Sequence, residues 1–421
     1  MFLKYAGSKV AKDILKVLSG NVVAQGLSFL AIIIISRDLG PESYGDFALI
    51  IAIFTFLTQI SDFGTSTSYV KFLSENKSEE KVIFSSVLIF KTLTGILFSA
   101  VIWYFSFDIS EYFFSIDRYE YYFRLAAIAL VFHSILGTVI AHFQGLEKFR
   151  QYSLVSISHY AVRFVAVVIV IFAFSAGKRF EYFIYIYFFA VVLVSLSSIY
   201  ILKAGFLFKW KYVEEIYRLG FWIFFSSVAV VVMMRIDVVM LKKLGDAEAV
   251  GFYSVASNVA MILPLITMSI TATLMPKMEA FLRESTIREF IKKILKKTKY
   301  VILLSLLLQA ASPLIIYILF GEAYLKSIPV LLILVVSYMF GVIVNPISLI
   351  YYQIKKPFLL TAVNWGQLLI GYSLNLLLIP DFGAIGAAIS SLGIHIFSSS
   401  IIVGYLYFSK VRDFSLKEKP L

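Results

Sequence analysis

The chain has 421 residues, 60% of them hydrophobic and 15% charged, with a mean hydropathy of +0.88 and a formal net charge of +12. Soluble domains run closer to half apolar and a quarter charged, so this composition excludes an ordinary soluble globular protein and points to one solvated by lipid. Cysteine is absent, which excludes disulfide and thiol chemistry.

The apolar residues fall in blocks of about 20, roughly the length that crosses a hydrocarbon core. In chain order, six blocks occupy 14–36, 47–69, 82–105, 122–143, 153–174 and 182–202. After a basic gap, six more occupy 219–241, 250–275, 300–319, 328–351, 358–379 and 384–408. The predicted fold is an all-α integral membrane protein of about twelve transmembrane helices. Lys4, Lys9, Lys12 and Lys16 precede the first block as they would in a signal peptide. That block is long for one and lacks a small-x-small cleavage site, so it reads as an uncleaved span. The longest connections, 107–121, 203–218 and 276–299, are too short to fold as domains, so any function resides in the bundle or at its rims.

Assigning connections alternately to two sides places 27 of the 38 Lys and Arg on the side of the N-terminus and 7 on the other. The positive-inside rule then predicts a cell-membrane protein with both termini in the cytoplasm. The positive charge is this topological bias, in contact with the lipid bilayer, and calls for no nucleic acid partner.

Six and six suggests an internal repeat, with N- and C-terminal lobes at 1–208 and 209–421. LGPESYGDFA (39–48) after the first span matches LGDAEAVGFYSVA (244–256) after the seventh; QGLEKF (144–149) after the fourth matches QIKKPF (353–358) after the tenth. Lobes of even span number point the same way, which predicts a pseudo-two-fold along the membrane normal and a cavity between them.

Ionisable groups in a span must face a cavity, find a partner or snorkel. Asp62 lies on a polar stripe with Thr55, Thr58, Gln59, Thr65, Ser66 and Tyr69 at helical spacing, expected to run unbroken along the second span. Arg163 sits mid-span on a stripe with Ser156, His159 and Tyr160. Lys91 is nine residues into the third span, with a stem that could reach the rim. Arg235 and Asp237 lie toward the outer end of the seventh; at i,i+2 they do not face each other. Arg124, near the outer rim of the fourth, reads mainly as an anchor. His133 and His395 are mid-span, where a lone histidine is more often a satisfied interior group than a proton carrier. Asn21, Gln25 and Ser28 stripe the first span, and Asn364, Gln367, Gly371 and Asn375 the eleventh; such amides bond neighbouring helices or sugar hydroxyls. Four basic charges against two acidic suit an anion such as a diphosphate, which arginine's planar fork binds well. No GxxxxGK(S/T), HExxH or Cys/His cluster is present, so neither a nucleotide site, a metal site nor any cofactor is expected.

Five segments, SRDLGPESYGDFALIIAI (36–53), SDFGTS (61–66), FQGLEKFRQYSL (143–154), RIDVVMLKKLGDAEAVGFYSVAS (235–257) and IPDFGAIGAAIS (379–390), together resemble the O-antigen-type polysaccharide flippases of the multidrug/oligosaccharidyl-lipid/polysaccharide exporter superfamily. The resemblance covers nearly the whole chain. It implies two six-helix lobes around a central cavity and a non-enzymatic role. That role is transfer of an undecaprenyl-diphosphate-linked oligosaccharide to the outer leaflet by alternating access, driven by a proton or sodium gradient. On that view Lys91, Arg163, Arg235 and Arg124 are candidates for the diphosphate, Asp62 and Asp237 for ion coupling or charge pairing, and Asn21, Gln25, Gln59, His133, Asn364 and Gln367 for polar cavity contacts. The partners implied are the lipid-linked substrate and other polysaccharide assembly proteins. A drug or cation antiporter of the same superfamily is the alternative. A membrane polymerase is disfavoured by the short outer connections.

Overall fold

The computed structural model describes residues 9–114, 119–202, 207–274, 286–354, 356 and 358–408, and among them contains helices and no strand. The rim charges Lys4, Arg118, Lys203, Lys277, Arg283 and Lys355, and those beyond Phe408, lie outside the described residues.

The helices are α1 (Lys9–Asp62), α2 (Thr65–Glu75), α3 (Glu80–Tyr104), α4 (Ser106–Phe114), α5 (Glu120–Gly145), α6 (Phe149–Ala173), α7 (Ala176–Leu202) and α8 (Trp210–Leu244). They continue with α9 (Ala247–Ala260), α10 (Ile262–Leu274), α11 (Ile287–Phe320), α12 (Ser327–Ser348), α13 (Ile350–Gln353) and α14 (Phe358–Phe408). Among the described residues nine helices are long and apolar enough to cross a membrane, and the two parts of α8, Trp210–Phe225 and Val228–Leu244, make a tenth. At 54 and 51 residues, α1 and α14 would each be about 80 Å long as straight rods, against a core of about 30 Å. Each is broken by a glycine off helical geometry, Gly40 (φ 71°, ψ 172°) and Gly383 (φ 52°, ψ −128°). Each is therefore long enough for two spans, which brings the count among the described residues to the expected twelve.

Three features depart from the expected pattern. Part of the connection at 107–121 is helical, as α4. The second span is interrupted at Phe63 (φ 51°) and Gly64 (φ 67°), so the polar stripe through Asp62 is divided between α1 and α2. The eighth is broken at Met261 between α9 and α10, where Pro264 has no N–H to return to the Ala260 carbonyl.

The chain divides into two compact units: the residues up to Leu39 together with Leu49–Val231, and Gly40–Ala48 with the residues from Val232 onward. In the first, α5 is central and packs on α2, α3, α4, α6 and α7. In the second, α12 is central and packs on α9, α10, α11 and α14.

Both repeat matches have a physical counterpart. Pro41–Gly45 and Ala247–Gly251 pack on one another reciprocally. A Cβ on Gly45 would lie 1.7 Å from the Ala247 carbonyl oxygen, and one on Gly251 would lie 2.1 Å from that of Pro41. Pro41 thus corresponds to Ala247 as Gly45 does to Gly251, at an offset of 206. Lys242 and Asp46 close the same region with a 2.7 Å ion pair. At the second match, α5 ends in a Schellman turn: Lys148 N–H bonds the Phe143 carbonyl (2.9 Å) and Glu147 N–H that of Gln144 (3.0 Å). The Lys356 N–H bonds the Tyr351 carbonyl in the same way (2.9 Å). The register is therefore 208, one less than pairing Gln144 with Gln353 implies.

Gly251→Val should abolish a monodisperse fold, because the clash is with backbone that cannot rotate away. Gly404→Ala, where nothing lies within 4 Å, should raise the melting temperature slightly by removing a helix-interior glycine. Thermal unfolding of the detergent-purified variants distinguishes the two.

Candidate functional site

In the first unit, the break between α1 and α2 organises a buried ion pair. Gly64 at the break packs so closely on α8 that a Cβ would lie 2.5 Å from the Gly220 carbonyl oxygen. The left-handed turn frees the end of α1 to present Asp62. Its Oδ2 accepts the Ser66 N–H (3.2 Å), capping α2, and its Oδ1 accepts Lys91 Nζ from α3 (2.6 Å). Lys91 also donates to Ser66 Oγ (3.0 Å), which itself hydrogen-bonds Asp62. The Lys91 side chain is 2% exposed and that of Asp62 29%. Lys91 thus reaches a carboxylate in the bundle and not the rim. Tyr217 of α8 lies alongside, 3.5 Å from Thr94 Oγ1.

Arg163 of α6 is 9% exposed, with its guanidinium 3.7 Å from the ring centre of Tyr187 on α7 and 5.3 Å from that of Tyr160. One amino group donates to His159 Nε2 (2.8 Å). A neutral His159 accepting there carries its proton on Nδ1. Arg163 Nε and His159 Nδ1 are both buried with no hydrogen-bond partner. A guanidinium held against an aromatic face with an unused donor is preset to receive an acceptor. His133 packs edge-on to Phe54, within electrostatic reach of Asp62, Lys91 and Arg163.

The other predicted residues of this unit lie apart. Arg124 pairs with Glu120, contacts Ser106 and lies over Trp103, an anchoring arrangement. Asn21, beside Tyr152, and Gln25 and Gln59 are exposed on their helices. Sequence reasoning missed Tyr187, because an aromatic within FIYIYFF carries no signal of its own.

In the second unit, Asp237 Oδ2 accepts from Tyr253 (2.6 Å, α9) and its Oδ1 from Asn375 Nδ2 (2.8 Å, α14). Asn375 Oδ1 is buried without a partner. Asp237 is thus held by neutral donors from two helices and makes no ion pair among the described residues. Arg235 lies within electrostatic reach of Tyr338. Gln367, Gly371 and Asn375 are buried along one face of α14, and Asn364 is half-buried. His395 Nδ1 meets the Ser391 carbonyl (2.9 Å) and Ser337 Oγ (3.0 Å), a satisfied interior histidine.

Twelve apolar spans, without a folded extramembrane domain among the described residues and with Lys91, Arg163 and Asp237 held among the helices, make a multi-pass membrane protein with polar groups kept inside it. Its fold is shared with solved structures of a lipid flippase and of multidrug transporters. The lipid II flippase MurJ in an inward closed conformation matches with a TM-score of 0.78 at 15% identity, covering 94% of this chain and 88% of MurJ. An inward-facing multidrug transporter of the MATE family matches with a TM-score of 0.70 at 16% identity, covering 91% and 96%. The chain belongs to the polysaccharide biosynthesis protein family, which matches residues 10–282. A Shigella flexneri candidate O-antigen transporter is 24% identical over 405 residues, covering 92% of this chain and 93% of its own. An uncharacterised membrane protein of Methanocaldococcus jannaschii is 23% identical over 414 residues, covering 91% and 81%.

The Asp62–Lys91 geometry sets a stability pattern. Asp62→Asn and Lys91→Met each strand one charge; that costs about 3–5 kcal/mol at a fully buried pair and less here, where the Asp62 side chain is 29% exposed. The double variant should recover much of that. Melting temperatures of the four proteins in detergent check it; equal losses in single and double variants would contradict the pairing.

Proposed function

We propose that the protein is a flippase for an undecaprenyl-diphosphate-linked oligosaccharide, carrying it from the cytoplasmic to the outer leaflet of the cell membrane. Both termini lie in the cytoplasm. Transport is by alternating access, with 1–208 and 209–421 as the moving lobes and an ion gradient as the driving force. Family membership and the near full-length likeness to a candidate O-antigen transporter support the class of substrate. The single observation that carries the anion site is Arg163, buried, stacked on Tyr187 and holding an unused Nε donor. A diphosphate supplies the acceptors this group lacks, and the planar fork engages two phosphate oxygens at once. Arg235 is a second anion contact. Lys91 contributes less, since Asp62 already neutralises it, and Arg124 sits at the rim with Glu120. The prenyl tail stays in lipid throughout. Other polysaccharide assembly proteins receive the delivered unit.

Asp237 is the coupling group in this reading. It is held by Tyr253 and Asn375 with no counter-charge among the described residues, and a proton or a sodium ion supplies the positive charge. Likeness to a MATE transporter favours the second reading, export of an organic cation.

Reconstitution in liposomes with a short-chain prenyl diphosphate sugar, followed by its protection from an external reagent, tests the proposal. The native protein should move the lipid in a gradient-dependent manner. Arg163→Ala should slow it at least tenfold, and Arg163→Lys should fall between, since a point charge neither forks nor stacks as well. Absence of movement, with an organic cation transported instead, would replace the flippase by the antiporter.

In the same assay Asp237→Asn should leave residual movement that no longer responds to a pH or sodium gradient. A response of native size would remove Asp237 from coupling.

A further inference from the structure

The longest unbroken apolar helix of the second unit is longer than its task. α11 has 34 residues, about 51 Å of helix, while a hydrocarbon core takes about 20 residues. Tyr300 to Phe320 is long and apolar enough to fill the core by itself. Ile287 to Lys299 is left over, and it differs in character from the rest.

Arg288, Lys292, Lys296 and Lys299 recur at i, i+4, i+8 and i+11, which is one face of a helix. All four are exposed, and none has an acidic partner among the described residues. Ile287, Phe290, Ile291 and Ile294 recur at i, i+3, i+4 and i+7 on the opposite face. Ile287 and Phe290 are buried, and the group packs on Val344 and Ile347 of α12, on Leu349, Ile350 and Tyr351, and on Leu406 of α14. Thr286 caps the segment by accepting the Glu289 N–H (3.3 Å). The basic face is therefore held outward by a core behind it. Along its edge Leu295 and Tyr300 are also exposed, and Lys299 lies over the Tyr300 ring at 5.1 Å. An exposed leucine and a tyrosine beside lysines suit the boundary between acyl chains and headgroups.

We propose that this face of α11 is a binding surface for anionic phospholipid headgroups of the leaflet on the N-terminal side. The argument is charge complementarity at a fixed depth. Four cations with no acidic partner among the described residues stand about one turn apart on the segment beyond the length that a hydrocarbon core takes, and the anionic phosphodiester is the counter-charge available at that depth. The surface gathers anionic lipid around the second unit. It does not depend on the transported substrate, and so stands or falls apart from the flippase reading.

The test uses the full chain in nanodiscs of mixed phosphatidylglycerol and phosphatidylcholine, with retained lipids counted by native mass spectrometry. The native protein should retain phosphatidylglycerol several-fold over phosphatidylcholine, with the excess falling as salt rises. The quadruple variant Arg288→Gln, Lys292→Gln, Lys296→Gln, Lys299→Gln should lose most of that preference while keeping its melting temperature, since every substituted side chain is exposed. A matched variant, Lys71→Gln, Lys81→Gln, Lys148→Gln, Lys211→Gln, removes four exposed charges from the same side but not from this face, and should keep the preference. A Lys292→Arg, Lys296→Arg, Lys299→Arg variant should also keep it, which guards against loss through misfolding. Equal preference in the native and quadruple Gln proteins, or equal loss in the matched variant, overturns the proposal.

Discussion

Hydrocarbon offers no hydrogen bond, and the fold follows from that deprivation. Every backbone N–H and C=O in the core must be answered within its own helix, so the described residues are helical almost throughout. Where the helix stops, something else supplies the bond: the Asp62 carboxylate at the start of α2, the Schellman turn at the end of α5. The same rule governs side chains. Lys91 finds Asp62 and Ser66, Asp237 finds Tyr253 and Asn375, and serines and threonines turn back on carbonyls of their own helices. Among the described residues the rule leaves a few buried atoms unanswered, the Nε of Arg163 and the Oδ1 of Asn375 among them.

Glycine does a different job, allowing backbone to touch backbone. Gly45 against Ala247 and Gly251 against Pro41 bring two helix starts together with no side chain between them. Gly64 does the same with α8. These contacts sit at helix ends, where the chain changes direction, so bends and close approaches coincide. The reciprocity of the first pair shows that repeated sequence can meet itself in space.

The span count was legible because bilayer thickness imposes its own period on the sequence, and blocks of apolar residues survive any packing detail. The i,i+4 partnership of His159 and Arg163 was legible for a similar reason, since helical spacing alone puts them on one stripe. Asp62 with Lys91 was not. The two are 29 residues apart on different helices, and their meeting depends on helix rotations that hydropathy does not encode. The break at Phe63–Gly64 was hidden because a polar stripe continues across it. α4 was hidden because nine residues do not make a transmembrane signal. The register of the second repeat was one residue out because a glutamine on each side invited the wrong pairing, while backbone hydrogen bonds fix it at 208.

The pairing of Lys91 with Asp62 has an electrical consequence. A membrane at 100 mV does about 2.3 kcal/mol of work on each unit charge carried across it. A lysine and a carboxylate 2.6 Å apart that travel together sum to zero, so displacement of α1 and α3 as one body draws nothing from the field through them. Arg163, stacked on an uncharged ring and bonded to a histidine, carries its full charge wherever α6 goes. Of these two basic groups in the first unit, one travels with its counter-charge, and the other is met by an uncharged ring and an imidazole that leave its charge uncompensated.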